Sequence, residues 1–104
     1  MEDFDRLYVR ELPPLTTLLV ETKNSSYRIV VMEGSHVRVQ GGPFFPQPTP
    51  AQLDGARLCG TGLEVEWLGV GLRMRITFGA RRLVTSPIRA ISAEYREVGN
   101  GDDC

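Results

Sequence analysis

The residues that could carry chemistry are few in this chain, and their spacing assembles no catalytic site. The only histidine is His36, and the two cysteines are Cys59 and Cys104. Without a second histidine a histidine-rich metal site is excluded, and the spacing of these three residues is not that of zinc ligands. We therefore predict no metal and no cofactor. Catalysis by His36 or Cys59 is the third-ranked alternative.

The acidic residues alternate with apolar ones in a segment that predicts a β-hairpin. Over Leu63–Phe78, two acids precede a Gly-Val-Gly turn and two arginines follow it, each separated by an apolar residue. A two-residue turn at this point places Glu66 opposite Arg73 and Glu64 opposite Arg75. Such cross-strand pairs help to fix strand register, so we interpret these acids as surface partners of the arginines and not as catalytic acids.

Composition and length indicate one small globular domain. The chain has 104 residues, of which 41% are hydrophobic and 24% charged, and its formal net charge is −1. These values are ordinary for a single soluble domain. No stretch approaches the roughly 20 apolar residues of a membrane span, and the acidic start Met-Glu-Asp-Phe-Asp is unlike a signal peptide. We therefore predict a cytoplasmic protein with no membrane partner.

A three-stranded meander is predicted between residues 16 and 40. A tight turn at Asn-Ser places Glu21 opposite Arg28, and a turn at Glu-Gly-Ser places Val37 opposite Val31. The domain is predicted to span residues 1–98 and to begin with an arm. The arm is predicted over residues 1–14, a long Pro/Gly-rich loop over 41–62, and a flexible tail over 99–104.

Few helices are expected in this chain. Ser86-Pro87 has the form of a helix start, with serine as the cap and proline in the first turn. Phe4–Leu12 and Ser92–Val98 each fit a helix or a strand, and the sequence does not decide between them. We predict an all-β, mainly antiparallel domain, namely a small SH3-like barrel or β-roll with one short helical turn near the C-terminus. A two-sheet β-sandwich is the alternative.

Two short motifs resemble those of small uncharacterised bacterial or phage β-proteins. Thr22–Tyr27 is similar to a Thr-x-Asn-Ser-x-Tyr motif, and Thr85–Ile88 to a Thr-Ser-Pro-Val/Ile motif. The resemblance covers ten residues and implies a small β-domain. It implies no activity, no cofactor and no catalytic residue.

Two sets of residues are candidates for binding. The first set lies in the Pro-rich segment and could dock a protein partner: Phe44, Phe45, Pro46 and Pro48. The alternative for its two aromatic rings is that they plug one open end of the barrel. The second set comprises arginines without a predicted acidic partner, which could bind nucleic acid: Arg38, Arg57, Arg81 and Arg82. The slightly negative net charge argues against the second set.

The leading functional hypothesis is a non-enzymatic small β-barrel that binds another protein or assembles with copies of itself into a homo-oligomer. It depends on charges that pair within the fold, on the lack of a catalytic constellation and on the apolar Pro-rich segment. A nucleic-acid-binding accessory domain is the second hypothesis.

Overall fold

The computed structural model describes residues 2–57, 63–65 and 67–94, with the backbone alone at 55–57 and 63–65. Nearly all of this part is antiparallel β-structure, and a 3₁₀ turn at Val9–Glu11 is its one helical segment. The strands are β1 (Glu2–Phe4), β2 (Arg6–Tyr8), β3 (Thr17–Thr22), β4 (Ser26–Glu33), β5 (His36–Gly41), β6 (Phe45–Arg57), β7 (Leu63–Val65), β8 (Trp67–Gly69), β9 (Arg73–Phe78) and β10 (Arg81–Glu94). The prediction of an all-β, mainly antiparallel domain is confirmed.

Six of these strands form a circuit of hydrogen-bonded neighbours that closes on itself. Its order is β3, β4, β5, β6, β9 and β10, and β10 pairs again with β3. Each of these pairings is antiparallel. β1 pairs with β10 and β7 with β6, whereas β2 and β8 form a separate two-stranded sheet. The circuit encloses a core as a small barrel does, because its strands surround one apolar interior.

Two long strands, β6 and β10, each pair with two different strands of the closed circuit along their length. β6 pairs with β5 over residues 45–52 and with β9 over 52–57. β10 pairs with β9 over 81–87 and with β3 over 88–94. Register shifts interrupt both strands close to these changes of partner. Long strands that pass from one sheet to the next with local irregularities form the corners of such folds.

The predicted hairpin over residues 63–78 does not form, and the tight turn within it lies one residue later than the predicted turn at Gly69 and Val70. The amide of Leu72 donates to the carbonyl oxygen of Gly69 at 3.0 Å and closes a tight turn. The strands on either side of the turn then take different partners, because β8 pairs with β2 whereas β9 pairs with β6 and β10. Apolar alternation assigns residues to the two faces of a strand, but it does not select the neighbouring strand.

The predicted pair of Glu64 with Arg75 is wrong for the same reason. The backbone of Glu64 belongs to β7, and β6 lies between this strand and β9, which carries Arg75. The predicted pair of Glu66 with Arg73 lies outside the described residues, because Glu66 is not among them. Arg75 instead approaches Asp54 of β6, with 3.7 Å between its Nε and the carboxylate Oδ2.

The predicted meander is confirmed as β3, β4 and β5, with one correction of register. Val37 pairs with Val31, as predicted for the second turn. In the first hairpin Glu21 pairs with Ser26, so its predicted pairing with Arg28 is wrong. The shift amounts to two positions, which leaves the same residues on the inner face. The predicted inner face of this hairpin is therefore confirmed, whereas the predicted ion pair of Glu21 with Arg28 is wrong.

The side chain of Thr22 explains this shift. Its Oγ1 donates to the carbonyl oxygen of Ser25 at 2.9 Å and accepts from the amide of Ser25 at 3.0 Å. The amide of Thr22 donates to the same carbonyl oxygen at 2.8 Å. These bonds place Lys23 and Asn24 at the corners of the turn, one residue earlier than a turn centred on Asn24 and Ser25. Threonine side chains commonly compete for backbone groups in this way.

The Pro-rich segment predicted as a loop over residues 41–62 is mainly strand β6, so the loop prediction is wrong for its described part. Pro46, Pro48 and Pro50 occupy alternate positions, which places their missing N–H groups on one edge of the strand. β5 is the one described strand that pairs with β6 over residues 45–51. No other described strand pairs with this part of β6, and proline whose nitrogen faces such an edge removes no ladder hydrogen bond and blocks pairing with another chain.

The helical turn predicted at Ser86-Pro87 is wrong, because β10 runs through these residues. Side chains supply hydrogen bonds where the register shift interrupts the ladder. Oγ1 of Thr85 accepts from the amide of Met74 at 3.0 Å, and Oγ of Ser86 accepts from the amide of Asn24 at 3.1 Å. These bonds stabilise an irregular strand at a dipeptide that also favours the start of a helix.

The ends of the described chain add short strands to the closed circuit and to the second sheet. Phe4–Leu12 completes β1 and then forms β2 and the 3₁₀ turn. The segment predicted as an arm over residues 1–14 therefore pairs with the domain. Residues 92–94 are strand, whereas the remainder of Ser92–Val98 and the predicted tail over 99–104 lie outside the described residues.

The core consists of apolar side chains from the inward-facing positions of the strands. The largest of those that are fully buried are Phe45, Leu18, Ile29, Leu53, Leu68, Met74, Ile76, Ile88 and Ile91. Burial of each such side chain stabilises the fold by roughly 1.5–3 kcal/mol relative to exposure. The described residues include no helix with the length and apolar character needed to cross a membrane.

Candidate binding surfaces

The two adjacent aromatic residues of the Pro-rich segment differ completely in exposure. Phe45 is 1% exposed, and its ring packs edge-to-face against Phe78 with 4.8 Å between the ring centroids. Phe44 is 51% exposed. Phe45 therefore belongs to the core and leaves the set of partner-binding candidates, whereas Phe44, Pro46 and Pro48 are exposed and accessible to a partner.

A turn of two glycines holds Phe44 outside the core. Gly41 has a φ of 124°, and a Cβ at this position would overlap with the carbonyl oxygen of Ser26. Gly42 has a φ of 61°, and its Cβ would lie 2.7 Å from the buried ring of Tyr27. Glycine alone fits both the backbone conformation and the space. The turn is thus closely packed, and it presents the ring of Phe44 at a defined place.

Burial of the tyrosine beneath this turn predicts a loss of stability at alkaline pH. Desolvation raises the pKa of Tyr27 above its usual value, and a hydrogen bond with the side chain of Ser25 opposes this effect. The unfolded chain then ionises first as the pH rises past about 10. The stability that Tyr27 contributes is complete below that pH and is lost as the pH rises through the folded-state pKa.

Urea denaturation between about pH 8 and about pH 11 checks this expectation. The free energy of unfolding of the original chain should fall more steeply with pH than that of Tyr27→Phe, which has no phenol to ionise. Parallel pH profiles for the two chains would show that another group causes the alkaline loss.

The first candidate surface is the Phe44 patch, a cavity of about 230 Å³ lined by Phe44, Phe78, Arg81, Arg82 and Leu83. Phe78 and Leu83 are half-buried, whereas the two arginines are exposed. Within the described part of the chain neither guanidinium group has a hydrogen bond or an ion pair. The patch therefore combines apolar surface with two guanidinium groups that are available to bind an anionic partner.

The second candidate surface is the Arg38 groove, which lies on the outer face of β4, β5 and β6. It consists of two adjoining cavities of about 470 Å³ and 220 Å³ that share Met32 and Arg38. The other polar side chains that line it are His36, Gln52 and Thr77 in the larger cavity and Arg28 and Gln40 in the smaller one. Among the described residues, no aspartate or glutamate lines either cavity. The lining therefore carries cationic but no anionic groups.

A strained residue, Leu15, stands at the smaller cavity of the Arg38 groove. Its φ is 70°, a left-handed conformation that costs a non-glycine residue roughly 1–2 kcal/mol. The turn is closed by the amide of Thr16, which donates to the carbonyl oxygen of Pro13 at 3.2 Å, and the amide of Leu15 donates to that of Val31 at 2.7 Å. The side chain is 37% exposed. Sequence reasoning missed this residue, because a Pro-Pro pair signals a turn but not its handedness.

A third exposed cluster has a structural explanation. Trp67 of β8 stacks on Tyr8 of β2 with 4.9 Å between ring centroids, and the guanidinium carbon of Arg6 lies 5.1 Å from the centroid of Trp67. These contacts join the only two strands of the second sheet, where Tyr8 and Trp67 are directly paired. Stacking and cation–π contacts stabilise such short pairings, so we assign this cluster to the fold.

The structure regroups the residues that the sequence assigned to two different functions. Arg81 and Arg82, predicted for nucleic acid, line the same cavity as Phe44, predicted for a protein partner. Arg38, also predicted for nucleic acid, shares the smaller cavity of its groove with Pro48. Each surface therefore contains both cationic and apolar candidates, which a linear reading of the chain had kept apart.

Groups suited to catalysis or metal binding are not concentrated at either surface. His36 is exposed and lines one end of the Arg38 groove, whereas Cys59, Cys104 and the side chain of Arg57 lie outside the described structure. Within the described residues no group of three histidine, cysteine, aspartate or glutamate residues could hold a metal ion.

Comparisons with protein-family models, curated proteins and solved structures found no match to this chain.

Proposed function

We propose that this chain is a non-catalytic binding module that docks another protein, or a second copy of itself, on the Phe44 patch. The observation that carries the proposal is the ring of Phe44, which is 51% exposed on a turn that only glycines can form. The same turn would be satisfied by a polar residue at this position. The exposed aromatic ring therefore favours a contact outside the chain.

The surroundings of Phe44 support a protein partner in particular. Phe78 and Leu83 provide half-buried apolar surface, and Arg81 and Arg82 are exposed beside them. Aromatic and arginine side chains contribute most to the affinity of protein interfaces, chiefly where apolar contacts exclude water. Because the glycine turn already fixes the backbone next to Phe44, little backbone freedom is lost on binding. We expect the partner to present an apolar side chain flanked by acidic groups.

A photo-crosslinking residue at position 44 tests the proposal. Benzoylphenylalanine in place of Phe44 retains an aromatic ring, and we expect it to form one discrete product, with another protein or with a second copy, in cells that produce the natural chain. The matched control carries the same residue in place of Gln47, which is exposed on β6 and does not line the patch. Products at position 47 alone, or at neither position, would contradict the proposal.

Single-stranded nucleic acid is the second candidate, and the position of Arg81 and Arg82 beside Phe44 favours it. An aromatic ring next to cationic side chains can stack a base and contact its phosphate. This candidate predicts that a labelled oligothymidine binds in a salt-sensitive manner and that Arg81→Ala with Arg82→Ala weakens binding. Failure to bind at low salt would exclude it.

We further propose that the module is an SH3-like barrel of a bacterial protein, that it acts in the cytoplasm, and that it forms oligomers when its partner is a second copy. Light scattering after size-exclusion chromatography measures the last feature. A monomer at high concentration would leave another protein as the partner.

A further inference from the structure

We propose that the Arg38 groove is a second binding site, which takes an extended peptide with carboxylate side chains at alternate positions. The groove shares no lining residue with the Phe44 patch, so the proposal goes beyond the function proposed above. It can be tested on its own, because substitutions in the groove leave the patch intact.

The charge of the groove identifies acidic side chains as its ligands. Arg28 and Arg38 are exposed, and in the described structure neither guanidinium group has a hydrogen bond or an ion pair. His36 adds an imidazole to the lining of the larger cavity. Guanidinium groups bind carboxylates through two parallel hydrogen bonds. With cationic and no anionic groups in its lining, the groove is complementary to a ligand that carries carboxylates.

The strand register sets the spacing that these carboxylates need. Arg28 pairs with Gln40, and Arg38 pairs with Val30 on the same two strands. The two arginines are therefore diagonal neighbours, separated by roughly 7–8 Å at the backbone. In an extended peptide, side chains at alternate positions lie about 6.6 Å apart on one face. An acidic residue, any residue and a second acidic residue would thus place one carboxylate at each arginine.

Apolar surface beside the arginines accommodates a further side chain of the peptide. Met32 lines both cavities, and Leu15, Val30 and Pro48 line the smaller one. The left-handed backbone of Leu15 displays its exposed side chain at this place, and strain of this kind concentrates at ligand-binding sites. The favoured ligand therefore carries an apolar residue two positions away from its acidic pair.

Two features favour a peptide across the sheet face over the alternatives. Pro46, Pro48 and Pro50 deprive β6 of N–H donors at alternate positions in a part where, among the described strands, only β5 pairs with it, so a peptide cannot add to its other edge as a regular strand. No phenylalanine, tyrosine or tryptophan lines the groove among the described residues. A base would therefore lack the stacking partner that single-strand binding uses.

Fluorescence anisotropy of a short labelled peptide of sequence Glu-Ser-Glu-Ser-Val, which presents both carboxylates and the apolar side chain on one face, tests the proposal on the full chain. We expect Arg28→Gln with Arg38→Gln to weaken the affinity by about tenfold or more, because charged hydrogen bonds are lost. Arg81→Gln with Arg82→Gln removes the same charge from the Phe44 patch and should change the affinity less than about twofold. The same peptide with glutamine in place of glutamate should bind at least about tenfold more weakly.

A substitution at Leu15 separates binding from folding. Leu15→Gly relieves the left-handed strain and removes the apolar side chain, so we expect an unchanged or higher melting temperature together with weaker peptide binding. Arg28→Gln with Arg38→Gln should likewise leave the melting temperature nearly unchanged, since both residues are exposed. Unchanged binding by Leu15→Gly would overturn the assignment of the apolar contact.

Other occupants of the groove would overturn the proposal in distinguishable ways. If the two arginine double variants lose affinity for the peptide equally, general charge attraction explains the binding and the groove is not a specific site. Oligothymidine that binds more tightly than the peptide, with Arg28 and Arg38 required, would make the groove a nucleic-acid site. Dimers that only the groove variant dissociates would assign it to a second copy. Peptide binding that strengthens on Asp102→Asn with Asp103→Asn would identify the acidic residues of the chain itself as the occupant.

Discussion

Replacement of Phe45 with alanine is expected to lower the free energy of unfolding by about 3–5 kcal/mol. The side chain is fully buried and packs edge-to-face against Phe78, so its removal loses apolar burial, an aromatic contact and part of the packing around a new cavity. Phe45 belongs to the buried cluster of the core, and a cavity that its neighbours fill only in part adds to the loss.

The neighbouring residue supplies the matched control. Phe44→Ala removes the same side chain from a position that is 51% exposed, and we expect the free energy of unfolding to change by no more than about 0.5 kcal/mol. Guanidinium chloride denaturation of the two variants beside the original chain measures both values. Similar effects at the two positions would show that Phe44 and Phe45 are both core residues or both surface residues, which would remove the basis of the proposed Phe44 patch.

Gly41→Ala is expected to be the second strongly destabilising substitution, with a loss of about 3–5 kcal/mol. The backbone at Gly41 has a φ of 124°, and an added Cβ would overlap with the carbonyl oxygen of Ser26. That oxygen belongs to the backbone of β4, which pairs with both β3 and β5. Relief of the overlap would thus require a shift of the strand itself.

Gly34→Ala separates the effect of the overlap from that of the backbone conformation. Gly34 has a φ of 58° and would place a Cβ in open space, so only the left-handed conformation is penalised, by roughly 1–2 kcal/mol. Thermal denaturation followed by circular dichroism ranks the two variants. If Gly41→Ala proves no more harmful than Gly34→Ala, the close packing of the turn that presents Phe44 is wrong.

Local patterns of the sequence were sufficient to predict the strand content and the inner faces of the first meander. Val31 and Val37 pair as predicted because a short turn of fixed length joins their strands. The predicted hairpin over residues 63–78 was wrong because β8 pairs with β2, far earlier in the chain, and β9 pairs with β6 on the edge where β8 was expected. Pairings of this kind depend on the whole closed circuit, and no pattern within a single segment encodes them.

The Pro-rich segment shows how composition can mislead. Its prolines predicted a loop, yet Pro46, Pro48 and Pro50 lie in a strand. The informative feature was their alternation, since proline at every second position is compatible with a strand that has one unpaired edge. The prediction counted breaker residues and did not consider which edge of a strand they would occupy.

The candidate surfaces could be predicted only in part. The sequence identified Phe44, Arg81 and Arg82 as residues of interest, but it did not reveal that they line one cavity. It also could not separate Phe44 from Phe45, because residue type is the same and the glycine turn decides which ring points inward. Leu15 was recognised as a candidate binding residue only from its backbone conformation, which residue type alone does not predict.

The closed circuit has a consequence for how the chain folds during synthesis. β10 is the last strand described, and it alone joins β3 to β9 in the circuit. The nascent chain can form β3, β4 and β5 early, since these strands are contiguous, but it cannot close the circuit until β10 has left the ribosome. Closure then requires contacts between distant parts of the chain, which slows folding to the range of milliseconds to seconds. Until that step the edges of β3 and β9 are open, so the time before closure is the period in which this chain is most exposed to aggregation.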